Sequence, residues 1–303
     1  MTLTAVLGPL LLFMLAPAVT GLSNRVKSAL TGRRGAPVLQ GYADLAKLWR
    51  KGVVYSRTTT VLFRLAPVAA VGTSLVATLM VPLDGVSASI HFAGDLVAFA
   101  GLLALGRYLL VLAALDTGSS FEGMGASREV TIAAFAEPAL LLCFTLLVIA
   151  TGGMRLEDML GVPLAHAWAA ASPSLALAAA ALFMLSLAEN CRVPVDDPLT
   201  HLELTMIHEV MVLDHSGPDL ALLVYASSLK TALFGTLVVR VFAAAFPLSP
   251  AWALGAMVAG LTVYAVGIGV VESGVARMRM QRVPQLVVVA AAVAGFGLIL
   301  LLR

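Results

Sequence analysis

The chain has 303 residues, of which 60% are hydrophobic and 12% charged, where an ordinary globular domain has roughly 25% charged residues. That balance excludes a water-soluble enzyme and indicates a polytopic, all-α integral membrane protein. The net charge of +2 is small, so where the Lys and Arg sit matters more than their sum, and no nucleic-acid partner is expected.

The two cysteines, Cys143 inside an apolar run and Cys191 near a membrane boundary, supply neither a disulfide framework nor a metal cluster. A helix needs about 20 mostly apolar residues to cross a bilayer. Eight stretches qualify, at about 2–21, 61–82, 95–115, 131–151, 173–189, 218–246, 250–271 and 283–302. The fifth is short and is expected to begin earlier, near Ala167. An even number of spans puts both termini on one side. Ala16-Pro17-Ala18 imitates a small-residue cleavage site, but no Lys or Arg precedes Arg25, so the first stretch is read as a span rather than a signal peptide. With no long soluble insert and no internal repeat, residues 1–303 are read as a single transmembrane domain.

The hydrophilic connections alternate in charge. Residues 22–60 hold Arg25, Lys27, Arg33, Arg34, Lys47, Arg50, Lys51 and Arg57, and residues 272–282 hold Arg277, Arg279 and Arg282. With 116–130 and 190–217, these are the predicted cytoplasmic loops, because cytoplasmic loops carry the excess of Lys and Arg. The opposite connections, 83–94, 152–172 and 247–249, have Arg155 alone. Both termini are therefore predicted outside. Within the first loop, residues 38–52 place Leu39, Tyr42, Leu45, Leu48 and Trp49 on one helical stripe, with Asp44, Lys47, Arg50 and Lys51 largely elsewhere. That is the pattern of a helix lying in the membrane interface. Two readings stand: an anchor beside anionic lipid, or an anchor whose polar face also contacts a partner subunit.

Ionisable groups inside spans cost about 2.5–3.5 kcal/mol each on translocon scales, so each is expected to face protein or water. The candidates are Arg107, Glu137, Glu189, Lys230, Arg240 and Glu272. Single carboxylates on different helices suit a proton or ion path, since burial beside a counter-charge brings a pKa into reach. A structural pair of Glu137 or Glu189 with Lys230 is the competing reading, and Arg240 is read as snorkelling to the outer interface. Pro138 removes a backbone donor next to Glu137 and is expected to open a polar gap there. Residues 116–130, DTGSSFEGMGASREV, follow no strand, so neither a P-loop nor a dinucleotide fingerprint fits. They are read as a shaped loop at a subunit interface or as ordinary turn chemistry.

The densest chemistry lies in Glu189–Gly217, ENCRVPVDDPLTHLELTMIHEVMVLDHSG, with six carboxylates and three histidines. His201, His208 and His215 recur every seven residues, so the first two share a face of a helix expected over about 199–213. After His208-Glu209 the zinc-protease pattern needs a second His where Val212 stands, so metal ligation is not expected. With Glu203, Glu209 and Asp214 nearby, proton exchange or contact with a partner is the better use of these imidazoles. The interleaved Leu202, Leu204, Met206, Ile207, Met211 and Val212 suggest a partly buried polar cavity at the cytoplasmic boundary.

The run from Glu189-Asn190-Cys191-Arg192-Val193-Pro194-Val195-Asp196-Asp197-Pro198 through Thr200-His201-Leu202-Glu203 to His208-Glu209-Val210-Met211-Val212-Leu213-Asp214-His215-Ser216-Gly217-Pro218 resembles the membrane subunit of formate hydrogenlyase and hydrogenase-4 complexes. These are relatives of subunit 1 of respiratory complex I. Arg33-Arg34-Gly35-Ala36-Pro37 with Leu39-Gln40, Asp44 and Lys47 is similar to that family's first loop. Arg107-Tyr108, Asp116-Thr117-Gly118 and Arg128-Glu129 extend the likeness over nearly the whole chain. Two departures imply the hydrogenase-type, group 4 [NiFe] branch. Arg34-Gly35-Ala36-Pro37 lacks the Asn of the complex I Arg-x-Gly-Pro-Asn signature, and Asp214-His215-Ser216-Gly217 stands where complex I usually has Glu-Tyr-Ser-Gly.

The resemblance implies a connector in the inner membrane of a prokaryote. It would join hydrogenase-like large and iron–sulfur small subunits, which hold the [NiFe] centre and the clusters, to antiporter-like membrane subunits, with no cofactor in this chain. It further implies a proton or ion relay through Glu129, Glu137, Glu189, Glu203, Glu209 and Asp214, to which the intramembrane Lys230 and Glu272 are added. Peripheral-arm docking falls to Arg33, Arg34, Asp44 and Lys47, with Arg128, Asp196, His201 and His208 beside them. Three other readings remain: a quinone-site subunit of a complex I-type dehydrogenase, a stand-alone secondary transporter, and a purely structural anchor. A transporter of that kind often shows inverted repeats, and residues 1–150 and 151–303 show no such symmetry.

Overall fold

The computed structural model describes residues 3–196, 206–246 and 250–303. Eight of its helices are long and apolar enough to cross a membrane: α1 (Leu3–Leu30), α3 (Val61–Leu79), α4 (Asp95–Asp116), α5 (Ser120–Thr151), α7 (Val162–Glu189), α9 (Gly217–Ala243), α10 (Pro250–Gly274) and α11 (Val283–Leu302). Three short helices lie between them, α2 (Gln40–Trp49), α6 (Leu156–Leu160) and α8 (His208–Met211). The chain is a multi-pass, all-helical membrane protein.

Because lipid is as apolar as a Leu side chain, close van der Waals packing rather than hydrophobicity holds such helices together. α9 is central, buried at positions from Ala221 to Val241. Its contact with α10 is so close that a Cβ on Gly260 would lie 2.3 Å from Val239 Cγ1, and one on Gly235 would lie 2.6 Å from the Tyr264 ring. Phe144 of α5 packs edge-on to Phe99 of α4, with ring centroids 6.1 Å apart.

Contacts sort the connections onto two ends of the bundle. At one end the Thr60 N–H donates to Asp116, the Val54 N–H to Ser216, and the Met278 N–H to the Pro194 carbonyl. These are the Lys- and Arg-rich loops and their companions. At the far end Ser89 donates to the Ala5 carbonyl, the Leu156 N–H to buried Asp95, and Arg240 to the Leu160 carbonyl. Arg240 therefore does more than snorkel: it ties α9 to the last turn of α6.

α2 matches the interfacial stripe and buries none of its residues, while Leu39 and Trp49 are exposed. Tyr42 of α2 donates to the Met14 carbonyl and so rests the helix on α1.

Several expected boundaries are corrected. α1 runs on to Leu30 and the fifth span starts at Val162, with a break at Ala171 (φ −133°, ψ 34°) just before Pro173, which has no N–H to donate. The expected loop 116–130 is mostly helix, since α5 begins at Ser120 and 117–119 alone make the turn. One of its glycines, Gly125, serves close approach: a Cβ there would lie 2.3 Å from Val210 Cγ1 and 3.0 Å from the Ile207 carbonyl. α5 continues through Pro138 without a break. Of the helix expected over 199–213, the described part is helical at His208–Met211; residues 197–205, with His201 and Glu203, lie outside the described residues.

Candidate functional site

Four spans bring their intramembrane charges to one point, and Arg107 of α4 is its hub. Nine residues before the end of α4, it lies about 13 Å down the helix from Asp116 at 1.5 Å per residue. Its guanidinium meets three carboxylates: Nη2 lies 2.5 Å from Glu189 Oε2, Nη1 2.7 Å from Glu137 Oε1, and Nε 3.3 Å from Glu129 Oε1. Glu129 and Glu137 are eight residues apart on α5, so two helical turns put them on one face. Glu189 is the last residue of α7. Lys230 of α9 approaches Glu189 from the other side, with Nζ 2.9 Å from Oε2. Glu189 and Arg107 are buried, with side chains 2% and 8% exposed, whereas Glu137 is 48% exposed.

This cluster holds three carboxylates against two cations, Arg107 and Lys230. Fully ionised, it carries one surplus negative charge. Charges at low dielectric interact strongly, so how the two cations are shared among the three acids sets the balance of the cluster.

A second group lies across the segment 190–196. Glu272 of α10 sits 3.4 Å from Arg192 and 3.9 Å from Lys27 of α1, and Arg192 also donates to Asn24. Asp196 accepts from Arg277 at 2.6 Å and from the Ile207 N–H at 2.7 Å. Cys191 links the two groups. Its buried thiol donates to Glu129 Oε2 at 3.7 Å, and burial, aided by Glu129 and Asp196, holds its pKa well above the usual thiol value. It therefore acts as a neutral donor.

Two adjoining cavities lie between the cluster and the surface. A cavity of about 70 Å³ touches Arg107, Glu129, Glu189 and Lys230, and shares Asn190, Cys191, His208, Leu223 and Ser227 with a second of about 390 Å³. The second reaches Asp44 on α2 and includes Glu209, Arg192 and Asp196. At roughly 30 Å³ per water molecule the smaller cavity can hold a few waters.

The structure thus gathers Glu129, Glu137, Glu189 and Lys230 into one cluster and sets Glu272 in the neighbouring group. His208 and Glu209 line the polar space between them and the surface. Asp214 is exposed at the rim, where its N–H donates to buried Glu122. Arg33, Arg34, Asp44 and Lys47 are exposed. Arg128 donates to the Met206 carbonyl and Asp196 is buried against Arg277, so both also hold the rim segment in place. The sequence lists Arg107 among the intramembrane charges without placing it in the relay, and gives Cys191, Arg192 and Glu122 no site role. A single Arg in the middle of a 22-residue span was the available signal for the hub.

A family model described as NADH dehydrogenase matches residues 2–302. The chain is 33% identical over 232 residues to hydrogenase-4 component C of Escherichia coli K12, covering 77% of this chain and 72% of that one. It is 29% identical to formate hydrogenlyase subunit 4 of the same organism, covering 95% and 93%. Its fold matches a chain of the membrane-bound sulfane sulfur reductase, an archaeal respiratory membrane complex, with a TM-score of 0.80, 18% identity and coverage of 99% and 98%.

Proposed function

Because this chain belongs to the NADH dehydrogenase family, we propose that it is the connector of a hydrogenase- or formate hydrogenlyase-type, complex-I-like assembly in a prokaryotic inner membrane, with both termini outside. Its charged end docks a peripheral redox arm, whose large and small subunits carry a [NiFe] centre and iron–sulfur clusters. Its membrane faces meet antiporter-like subunits. The relatives named for hydrogenase-4 and formate hydrogenlyase support this branch.

The observation that carries the reading is the Arg107 cluster with one surplus negative charge, with two adjoining cavities between it and exposed Asp44. An electron arriving in a neighbouring subunit raises the proton affinity of groups at the rim. A proton taken up on the Asp44 side can move by way of His208 and Glu209 toward Glu129. Its arrival releases Arg107 toward Glu137 or Lys230 toward solvent, which passes a charge displacement into the membrane plane. Of the other relay positions, Asp214 belongs to the entry side and Glu272 tunes Arg192.

The test uses the intact complex in sealed vesicles, with redox turnover and H⁺ or Na⁺ uptake measured together. Glu189→Gln and Glu129→Gln are expected to lower the ions moved per electron pair while the complex still assembles. An unchanged ratio in both would make the acids an inert anchor. Turnover of this chain alone as a carrier, with no companion subunit retained in mild detergent, would overturn the connector reading.

A further inference from the structure

The outer face of α5 carries a carboxylate that the described residues leave half-covered. Glu137 is 48% exposed, while Glu129 and Glu189, which share Arg107 with it, are 12% and 2% exposed. Among the described residues its one hydrogen bond runs from Arg107 Nη1 to Oε1, so Oε2 is open. Glu137 lies about 25 Å along α5 from Ser120 and about 21 Å from Thr151, at 1.5 Å per residue. A hydrocarbon core is roughly 30 Å thick, so this group stands on the outside of the bundle and well within that core.

Its surroundings on the helix are apolar. Val130, Ala134 and Leu141 are exposed on the same stripe at helical spacing. Thr145, also on it, turns its hydroxyl back to the Leu141 carbonyl. The stripe therefore asks for a polar partner at one depth and for apolar contact above and below it. A lipid cannot meet that demand, because acyl chains have no hydrogen-bond donor and headgroups lie at the edge of the core. Internal water does not meet it either, since neither cavity beside the cluster touches Glu137. A second acid would add to the surplus of three carboxylates over two cations, whereas a cation cancels it.

We infer that the α5 face around Glu137 seats a transmembrane helix of a neighbouring membrane subunit, and that this helix carries one Lys or Arg at the depth of Glu137. The inference rests on the connector reading and names the group that reading leaves open. When a proton reaches Glu129 and Arg107 turns to Glu137, the neighbouring cation loses its hold on that carboxylate. Its displacement is the signal that leaves this chain.

Photocrosslinking in the intact complex tests this. Leu141→p-benzoylphenylalanine and, as a second variant, Ala134→p-benzoylphenylalanine are irradiated in the membrane, and the adducts are mapped by mass spectrometry. Both are expected on one helix of another subunit, on either side of a Lys or Arg about one turn from each. Glu137→Gln, and replacement of that cation by Gln, should each lower the amount of that subunit retained in mild detergent about tenfold or more. The two together should lower it no further than either alone. Adducts with lipid alone, a labelled helix with no Lys or Arg within a turn of the crosslinks, or additive losses in the double variant would each overturn the inference. These readouts do not involve ion uptake, so they stand apart from the test of coupling. A companion subunit that labels elsewhere removes this inference and keeps the connector, while the lack of any companion removes both.

Discussion

Lys230 holds Glu189 twice: its Nζ lies 2.9 Å from the carboxylate and 2.7 Å from the same residue's backbone carbonyl. The carbonyl is one that the end of α7 leaves without a helical donor, so the ammonium acts as both counter-ion and helix cap. Lys230→Met removes both functions and leaves Glu189 with Arg107 alone. Breaking a buried pair costs about 3–5 kcal/mol. The purified complex should melt several degrees lower, and Lys230→Met with Glu189→Gln should regain part of that loss without regaining ion uptake. Differential scanning fluorimetry with the vesicle assay checks both.

The hub should not tolerate a conservative change. One planar guanidinium serves Glu129, Glu137 and Glu189 at once, and an ammonium cannot span three acids in a fork. Arg107→Lys is expected to lower thermal stability by more than Glu137→Gln, because Glu137 is half-exposed and its loss leaves Arg107 on two buried acids. Equal melting shifts for the two variants would remove Arg107 from the centre.

The rim should respond to pH through His215. Its ring lies flat on Phe63, with centroids 3.9 Å apart, and neither nitrogen has a hydrogen-bond partner. Burial, opposed by Asp219 and Asp214, lowers its pKa from 6.5 to about 4. The group binds its proton more tightly when the rim is open, so closure is favoured above about pH 6.5 and weakens as pH falls from there toward 4. Hydrogen-exchange protection factors of residues 213–217 and 51–56, each referred to the intrinsic rate at its own pH, should fall over that window in the native complex, and His215→Phe should flatten the dependence.

Gly125 should be intolerant of a methyl group. The contact of 2.3 Å to Val210 means Gly125→Ala must push α8 from α5, and overpacking of this kind costs about 1–3 kcal/mol. Limited proteolysis near 206–214 should become faster, while Gly123→Ala, where a Cβ meets nothing within 4 Å, leaves the rate unchanged.

The eight crossings were readable because each needs only a run of apolar residues, and the α2 stripe because a period near 3.6 leaves one face apolar. The segment 120–130 was not. Gly123, Gly125 and Ser127 have loop composition, and the helix that they form packs at Gly125 against Val210 of α8, 85 residues further along the chain. The acids could be singled out one by one, since each is costly in hydrocarbon. Which of them meet depends on how α4, α5, α7 and α9 pack. The pairing of Glu189 with Lys230 was foreseen as one alternative, while Glu137 turns to Arg107 instead. No local pattern distinguishes those partners.

The seven residues from Asn190 to Asp196 are fastened in four directions: Cys191 to α5, Arg192 to α1 and α10, Pro194 to Met278, and Asp196 to Arg277. They behave as a yoke rather than a tether. Any displacement of this yoke moves Cys191 at the Arg107 cluster and Arg192 at Glu272 together, so the two acidic groups share one mechanical support.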